Sequence, residues 1–265
     1  MARTTQPVDV DTEPIAYRFV GDGDETILFL HGLGASRTSW DPQLMEFAER
    51  YRCIAWDAPG YGASPAAIDP GFADYAHAVA GLLDVVGIEK ATVVGLSFGG
   101  QIALHLALRH PQLVERLILA DTSAAFGGDG TDVDEWKKLR LGPLKSGMTP
   151  ADMAETVITG VGGVGLTGER LRSAVESMGR ITSDGLRAAV ECLPSHDVRS
   201  RLAEITQPTL VLVGSLDTET PLAYAEELAG EMPNASLDVI DGAGHLTPIE
   251  RPDEFNRLLR EFLEA

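Results

Sequence analysis

Short apolar runs return at intervals along this chain, and most are followed by a stretch with helical spacing. Thr26-Ile-Leu-Phe-Leu30, Arg52-Cys-Ile-Ala-Trp56, Ala91-Thr-Val-Val-Gly95, residues 113–119, Thr209-Leu-Val-Leu-Val-Gly214 and residues 236–240 read as buried strands. Helices are predicted over 42–49, over 72–86, over about 97–109, after Pro221, and over 252–263 with Pro252 in the first turn. In the second of these, Val79, Leu82, Leu83 and Val86 fall on one helical face. Strand and helix alternating in this way is the signature of βαβ units around a largely parallel sheet. Between Asp121 and Pro208 the alternation stops. That segment reads as short helices joined by glycine-rich loops, at 127–130 and 160–168. Because it falls between two core strands, it must leave and rejoin the sheet at one end, where a lid over a site would sit.

Composition narrows the function classes. With 265 residues, 44% hydrophobic and 23% charged, the chain has enough apolar material for one large domain with an insertion. A net charge of −19 repels phosphate backbones and anionic lipid, so no nucleic acid or membrane partner is expected. Two cysteines, Cys53 and Cys192, lack the spacing of a disulfide framework or a zinc site and are expected to be reduced. No leader-like apolar segment or membrane-length run is present, so a cytoplasmic location is expected. No HExxH, Walker or EF-hand pattern occurs, and neither a metal nor another cofactor is expected. Gly163-Val-Gly165-Leu-Thr-Gly168 fits GxGxxG, but no strand precedes it and no βαβ unit follows; it reads as a flexible loop of the insertion.

Gly95-Leu-Ser97-Phe-Gly99 matches GxSxG. With 28 glycines in the chain, the bare string is expected by chance roughly 0.14 times, so its context decides. The serine follows a buried strand and opens a helix, as a nucleophile elbow requires, and the flanking glycines relieve crowding at the sharp turn. A serine hydroxyl needs a base within hydrogen-bond reach and an acid to orient that base. His245, in the turn Gly242-Ala-Gly-His245 after the last strand, is the expected base. His31 precedes Gly32 and is better placed to stiffen a loop, while His77, His105, His110 and His196 fall in helices or in the insertion. Asp217, in Gly214-Ser-Leu-Asp217 just beyond the clearest late strand, is the expected acid. Asp241 and Asp121 are its rivals. An oxyanion needs two backbone N–H donors, assigned to Phe98, which follows the nucleophile, and to Leu33 in His31-Gly-Leu-Gly34, with Gly34 as the fallback.

These motifs, together with Asp57-Ala-Pro-Gly-Tyr-Gly-Ala-Ser64, stand in an order that resembles the α/β-hydrolase fold superfamily over nearly the whole chain. The resemblance implies an α/β fold with an eight-stranded, mostly parallel sheet and a Ser97, His245, Asp217 triad. It also implies a core of residues 1–123 and 203–265 with a helical cap of residues 124–202. Within the superfamily the chain is most similar to the 3-oxoadipate enol-lactonase group, through 182–193, Asp197-Val-Arg199 and His245-Leu-Thr-Pro-Ile-Glu-Arg-Pro252. Meta-cleavage-product C–C hydrolases share the scaffold but usually carry Trp after the catalytic His, where this chain has Leu246. The expected function is therefore serine hydrolysis of a small ester or lactone by a monomer or homodimer, with C–C hydrolysis and a non-catalytic receptor as alternatives. Trp40 and Trp136 are candidate walls of the substrate pocket. Arg37, Arg140, Arg180 and Arg187 are candidate partners for a substrate carboxylate.

Overall fold

Runs such as Ile27-Leu-Phe-Leu30 must hide both faces, which only a strand inside a covered sheet allows. The computed structural model describes residues 6–12, 14–128 and 130–265. Residues 1–5, 13 and 129, the last in the loop expected at 127–130, lie outside the described residues. The strands are β1 (Val8–Val10), β2 (Tyr17–Val20), β3 (Thr26–Leu30), β4 (Arg52–Trp56), β5 (Ala91–Leu96), β6 (Val114–Ala120), β7 (Thr209–Gly214) and β8 (Ala235–Ile240). They form one eight-stranded sheet in the order β1-β2-β4-β3-β5-β6-β7-β8. β2 pairs antiparallel with β1 and β4, and every other pairing is parallel.

Every residue of β3, β5 and β7 is buried. Truncating one of their large side chains, Leu28→Ala for instance, is worth about 2–5 kcal/mol of stability. The helices of the first half are α1 (Asp41–Phe47), α2 (Phe72–Val85) and α3 (Phe98–Arg109). After β3 the chain moves outward to β4, then returns past β3 to β5. The loops leaving β3 and β5 therefore diverge in opposite directions, and the crevice between them is where open α/β sheets hold ligands.

Among the described residues the α-helices between β6 and β7 are α4 (Val133–Lys145), α5 (Pro150–Val161), α6 (Gly168–Met178) and α7 (Ser183–Cys192). The neck of this segment is closed where Val198 N–H donates to Ala124 O at 2.8 Å and Phe126 N–H to His196 O at 2.9 Å. α8 (Leu222–Glu231), α9 (Thr247–Glu250) and α10 (Pro252–Glu264) complete the chain. Both cysteines are free and buried. Among the described residues no helix is long and apolar enough to cross a membrane.

Two residues expected at the substrate pocket belong instead to the packing behind it. Trp40 is fully buried between Phe29 and Phe255, with ring centroids 5.0 and 6.2 Å away. Arg37 is also buried, and its guanidinium meets Asp11 at 2.6 Å, Asp9 at 3.3 Å and Asp57 at 3.4 Å. A buried guanidinium demands paired anions, and β1 with the residue after it supplies two of them, Asp9 and Asp11. Arg37 is thus a clasp for the antiparallel edge and faces no substrate.

Candidate active site

Ser97 stands between the end of β5 and the start of α3 with φ 53° and ψ −117°, a conformation that side chains rarely adopt. The surroundings hold it there. Its N–H donates to Ala120 O at 2.9 Å, and its carbonyl accepts Thr122 Oγ1–H at 2.8 Å and Gln101 N–H at 3.0 Å. A Cβ on Gly95 would lie 2.5 Å from Gly99 O, and one on Gly99 would lie 2.1 Å from Leu30 O. The GxSxG glycines are therefore required by close backbone approach, and the turn projects the hydroxyl out of the sheet.

His245 arrives from the loop after β8 and Asp217 from the loop after β7. His245 Nε2 lies 2.9 Å from Ser97 Oγ, and His245 Nδ1 lies 2.8 Å from Asp217 Oδ2. With the carboxylate at Nδ1, that nitrogen carries the proton and Nε2 is free to accept from the serine hydroxyl. Asp217 is itself fixed: its Oδ1 accepts the N–H groups of Glu219 and Thr220, and its Oδ2 the Thr220 hydroxyl, at 2.8–3.0 Å. Burial opposes charge on His245, but the hydrogen bond and charge of Asp217 outweigh it, with help from Asp121 and Glu219, and raise the imidazole above its ordinary pKa. Burial likewise opposes charge on Asp217, yet His245 and the Thr220 donors hold that carboxyl below the usual range.

The rival carboxylates do other work. Asp121 Oδ1 accepts Gly214 N–H at 2.9 Å, and its Oδ2 accepts the N–H and hydroxyl of Thr247 at 3.1 and 2.6 Å. Burial, then the nearby charge of Asp217, push Asp121 up from the ordinary carboxylate range. Asp241 accepts the Ser215 hydroxyl at the surface. His31 bridges two loops: its Nδ1–H donates to Gly32 O at 2.9 Å and its Nε2 accepts Ala58 N–H at 3.0 Å. His105 and His196 face each other at 3.2 Å, and His196 Nε2–H donates to Ser123 O at 2.9 Å.

The Ser97 hydroxyl opens into a cavity of about 360 Å³. The loop after β3 forms one wall, Gly32 to Ala35, and a Cβ on Gly32 would stand only 3.5 Å from Ser97 Cβ. Leu33 belongs to this wall. Phe98 opens α3, where an N–H has no intrahelical acceptor, while its side chain packs against Phe72 and Tyr75. Opposite lie Phe126, Trp136, Val157, Ile158 and Val161 from the helical segment. Trp136 packs edge-on against Phe126 at 4.8 Å. Arg140 also reaches the cavity, whereas Arg180 and Arg187 are exposed and do not line it. Among the described residues no group of three or more His, Cys, Asp or Glu is arranged to hold a metal ion.

The sequence pattern of the alpha/beta hydrolase family matches residues 27–258. The chain belongs to this family. A 3-oxoadipate enol-lactonase from Acinetobacter baylyi is 28% identical to this α/β hydrolase over 94% of the chain and 92% of the relative. A 2-hydroxy-6-oxononadienedioate/2-hydroxy-6-oxononatrienedioate hydrolase from Burkholderia vietnamiensis is 33% identical over 94% of the chain and 90% of the relative. Among solved structures, a thermophilic esterase from Thermogutta terrifontis superposes with a TM-score of 0.85 at 27% identity, covering 98% of each chain.

Two features of this α/β hydrolase's site escape sequence reading. Glu250, on α9, is fully buried, and its carboxylate accepts the N–H groups of Gly163 at 2.8 Å, Gly244 at 3.0 Å and Leu246 at 3.1 Å. His245 N–H also donates to Val161 O at 3.1 Å. The loop at 163–168, expected to be flexible, is thus pinned to the turn that carries His245, and a Cβ on Gly163 would lie 2.5 Å from Gly244 N. The second feature is an ion pair between two residues that line the cavity. Arg140 on α4 meets Glu219, two residues after Asp217, at 2.8 Å.

Proposed function

We propose that this α/β hydrolase cleaves a small carboxylic ester or lactone through an acyl-enzyme on Ser97. Ser97 Oγ attacks the substrate carbonyl as its proton passes to His245 Nε2. Asp217 keeps the imidazole in the tautomer with the proton on Nδ1 and stabilises the cation formed during attack. The N–H groups of Leu33 and Phe98 receive the oxyanion of the tetrahedral intermediate. His245 then returns its proton to the leaving alkoxide, activates a water, and Ser97 is released as the acid departs. Residues 124–202 act as the cap that closes the cavity over the substrate.

One observation carries this reading: an unbroken hydrogen-bonded line, Ser97 Oγ to His245 at 2.9 Å and His245 to Asp217 at 2.8 Å, that ends at a cavity. The test is turnover of a panel of p-nitrophenyl esters and simple lactones by the wild type and by Ser97→Ala, with stoichiometric labelling of Ser97 by a fluorophosphonate. Ser97→Ala is expected to lose turnover and labelling together. Full activity in that variant overturns the reading. The Burkholderia relative supports a second reading, C–C bond hydrolysis on the same three side chains, and comparing turnover of a ring-fission dienoate with that of a lactone separates the two.

A further inference from the structure

Arg140 is the one cationic side chain among the described residues that line the cavity, and it is already engaged. Its guanidinium donates to Glu219 Oε2 at 2.8 Å and lies over the Trp136 ring, 4.4 Å from the centroid. Glu219 brings a negative charge to the same wall, and Asp217 stands just behind it. Apart from Thr131, the other side chains that the helical segment brings to the wall are apolar, and the protein as a whole carries −19. An entering carboxylate therefore meets no unpaired cation. To bind Arg140 it must either displace Glu219, leaving that anion unpaired, or sit beside it as a second negative charge on the same guanidinium, and both are unfavourable.

We propose that this cavity selects an uncharged ester or lactone with an apolar acyl group, and that the Arg140–Glu219 pair rejects acyl groups that end in a carboxylate. The proposal rests on the reading of Ser97 as the nucleophile and adds the substrate class. Glu219 is then a specificity-determining residue, because it neutralises the cation that would otherwise read an acid.

A matched pair of substrates tests it: p-nitrophenyl pentanoate and mono-p-nitrophenyl glutarate, equal in acyl chain length and differing in a terminal methyl or carboxylate. The readout is the ratio of their kcat/KM values, which does not depend on the fraction of folded enzyme. The wild type is expected to prefer the pentanoate by about tenfold to a hundredfold. Glu219→Gln frees the guanidinium and is expected to move the ratio toward the glutarate by about tenfold. Adding Arg140→Gln to that variant returns the preference for the neutral ester. A wild type that turns over the glutarate as well as or better than the pentanoate overturns the proposal, as does a ratio that Glu219→Gln leaves unmoved. Ser97→Ala is run beside these variants. If it keeps turnover on both esters, the nucleophile assignment fails, while the wild-type ratio still reports whether the wall discriminates by charge.

Discussion

The carboxylate of Glu250 accepts Gly163 N–H at 2.8 Å and Gly244 N–H at 3.0 Å through the same oxygen. One buried anion thereby joins the helical segment to the turn that presents His245. Replacing it with glutamine keeps the volume but sets an NH₂ group against backbone donors on one side. Glu250→Gln is expected to cost about 1–3 kcal/mol in denaturant unfolding. Its kcat should fall more than its KM rises, because the imidazole is misplaced while the cavity wall stays. An unchanged kcat in a destabilised variant would reduce Glu250 to a purely structural brace.

Asp217 and Asp121 are both buried within reach of the His245 field, yet only Asp217 is hydrogen-bonded to the ring. Asp217→Asn offers the ring an amide and releases the tautomer, so kcat on an activated ester should drop by about 10³–10⁴. Asp121→Asn keeps one acceptor and opposes Thr247 with an amide; it should lose about 1–3 kcal/mol of stability and no more than about tenfold in kcat. The reverse ranking in steady-state kinetics would make Asp121 the orienting acid.

In the proposed mechanism His245 must be neutral to take a proton from Ser97. Asp217 outweighs burial and holds the His245 pKa above 6.5, so the acid limb of kcat/KM against pH should lie above that value, with activity falling as pH drops through it. Glu219 adds to the raising, and Glu219→Gln should shift the limb to lower pH. A limb that stays in place on this substitution would show that the charge of Glu219 is screened from the ring.

His105 and His196 give the fold an acid weakness. Burial lowers them to about 3 and about 4, from an ordinary value of 6.5. As pH falls below 6.5 the unfolded chain takes up protons on both rings and the folded chain does not, so stability declines with falling pH down through those lowered values. His105→Phe keeps the stack on Phe72 and removes one of the two rings. It is expected to recover on the order of 1 kcal/mol at about pH 5 relative to the wild type, allowing for the partial exposure of that ring. Melting temperatures of both proteins between about pH 5 and pH 8 check this; parallel curves would exclude His105 as a cause.

Sequence made the parallel strands and the Ser97 elbow legible because buried strands are apolar runs and because Gly95 and Gly99 sit where only glycine fits. It hid β1 and β2, whose three and four residues interleave apolar with charged positions, only Val20 being fully buried, and present no apolar run. It also hid the role of Arg37 and Trp40, since a residue beside the loop after β3 can face the cavity or the core, and only packing against Asp9, Asp11 and Phe255 decides. Glu250 reads in sequence as an ordinary charge before a proline. Its role comes from a loop 87 residues earlier, at Gly163, that meets the His245 turn around its carboxylate. The faint signal was an acid directly after the mostly apolar Leu246-Thr-Pro-Ile249 stretch. Glu219 was invisible for the same reason, because its partner lies on α4, 79 residues earlier.

The strained turn at Ser97 is closed in by main chain at Gly95 and Gly99 and by the Thr122 side chain at Gly100, so mutation has almost no freedom there. New substrates for a scaffold of this kind must be sought among variants of α4 and α5, whose Trp136, Arg140, Val157, Ile158 and Val161 line the opposite wall. Laboratory evolution that diversified residues 95–100 would mostly collect misfolded clones, whereas libraries confined to positions 126–161 would sample specificity on an intact catalytic frame.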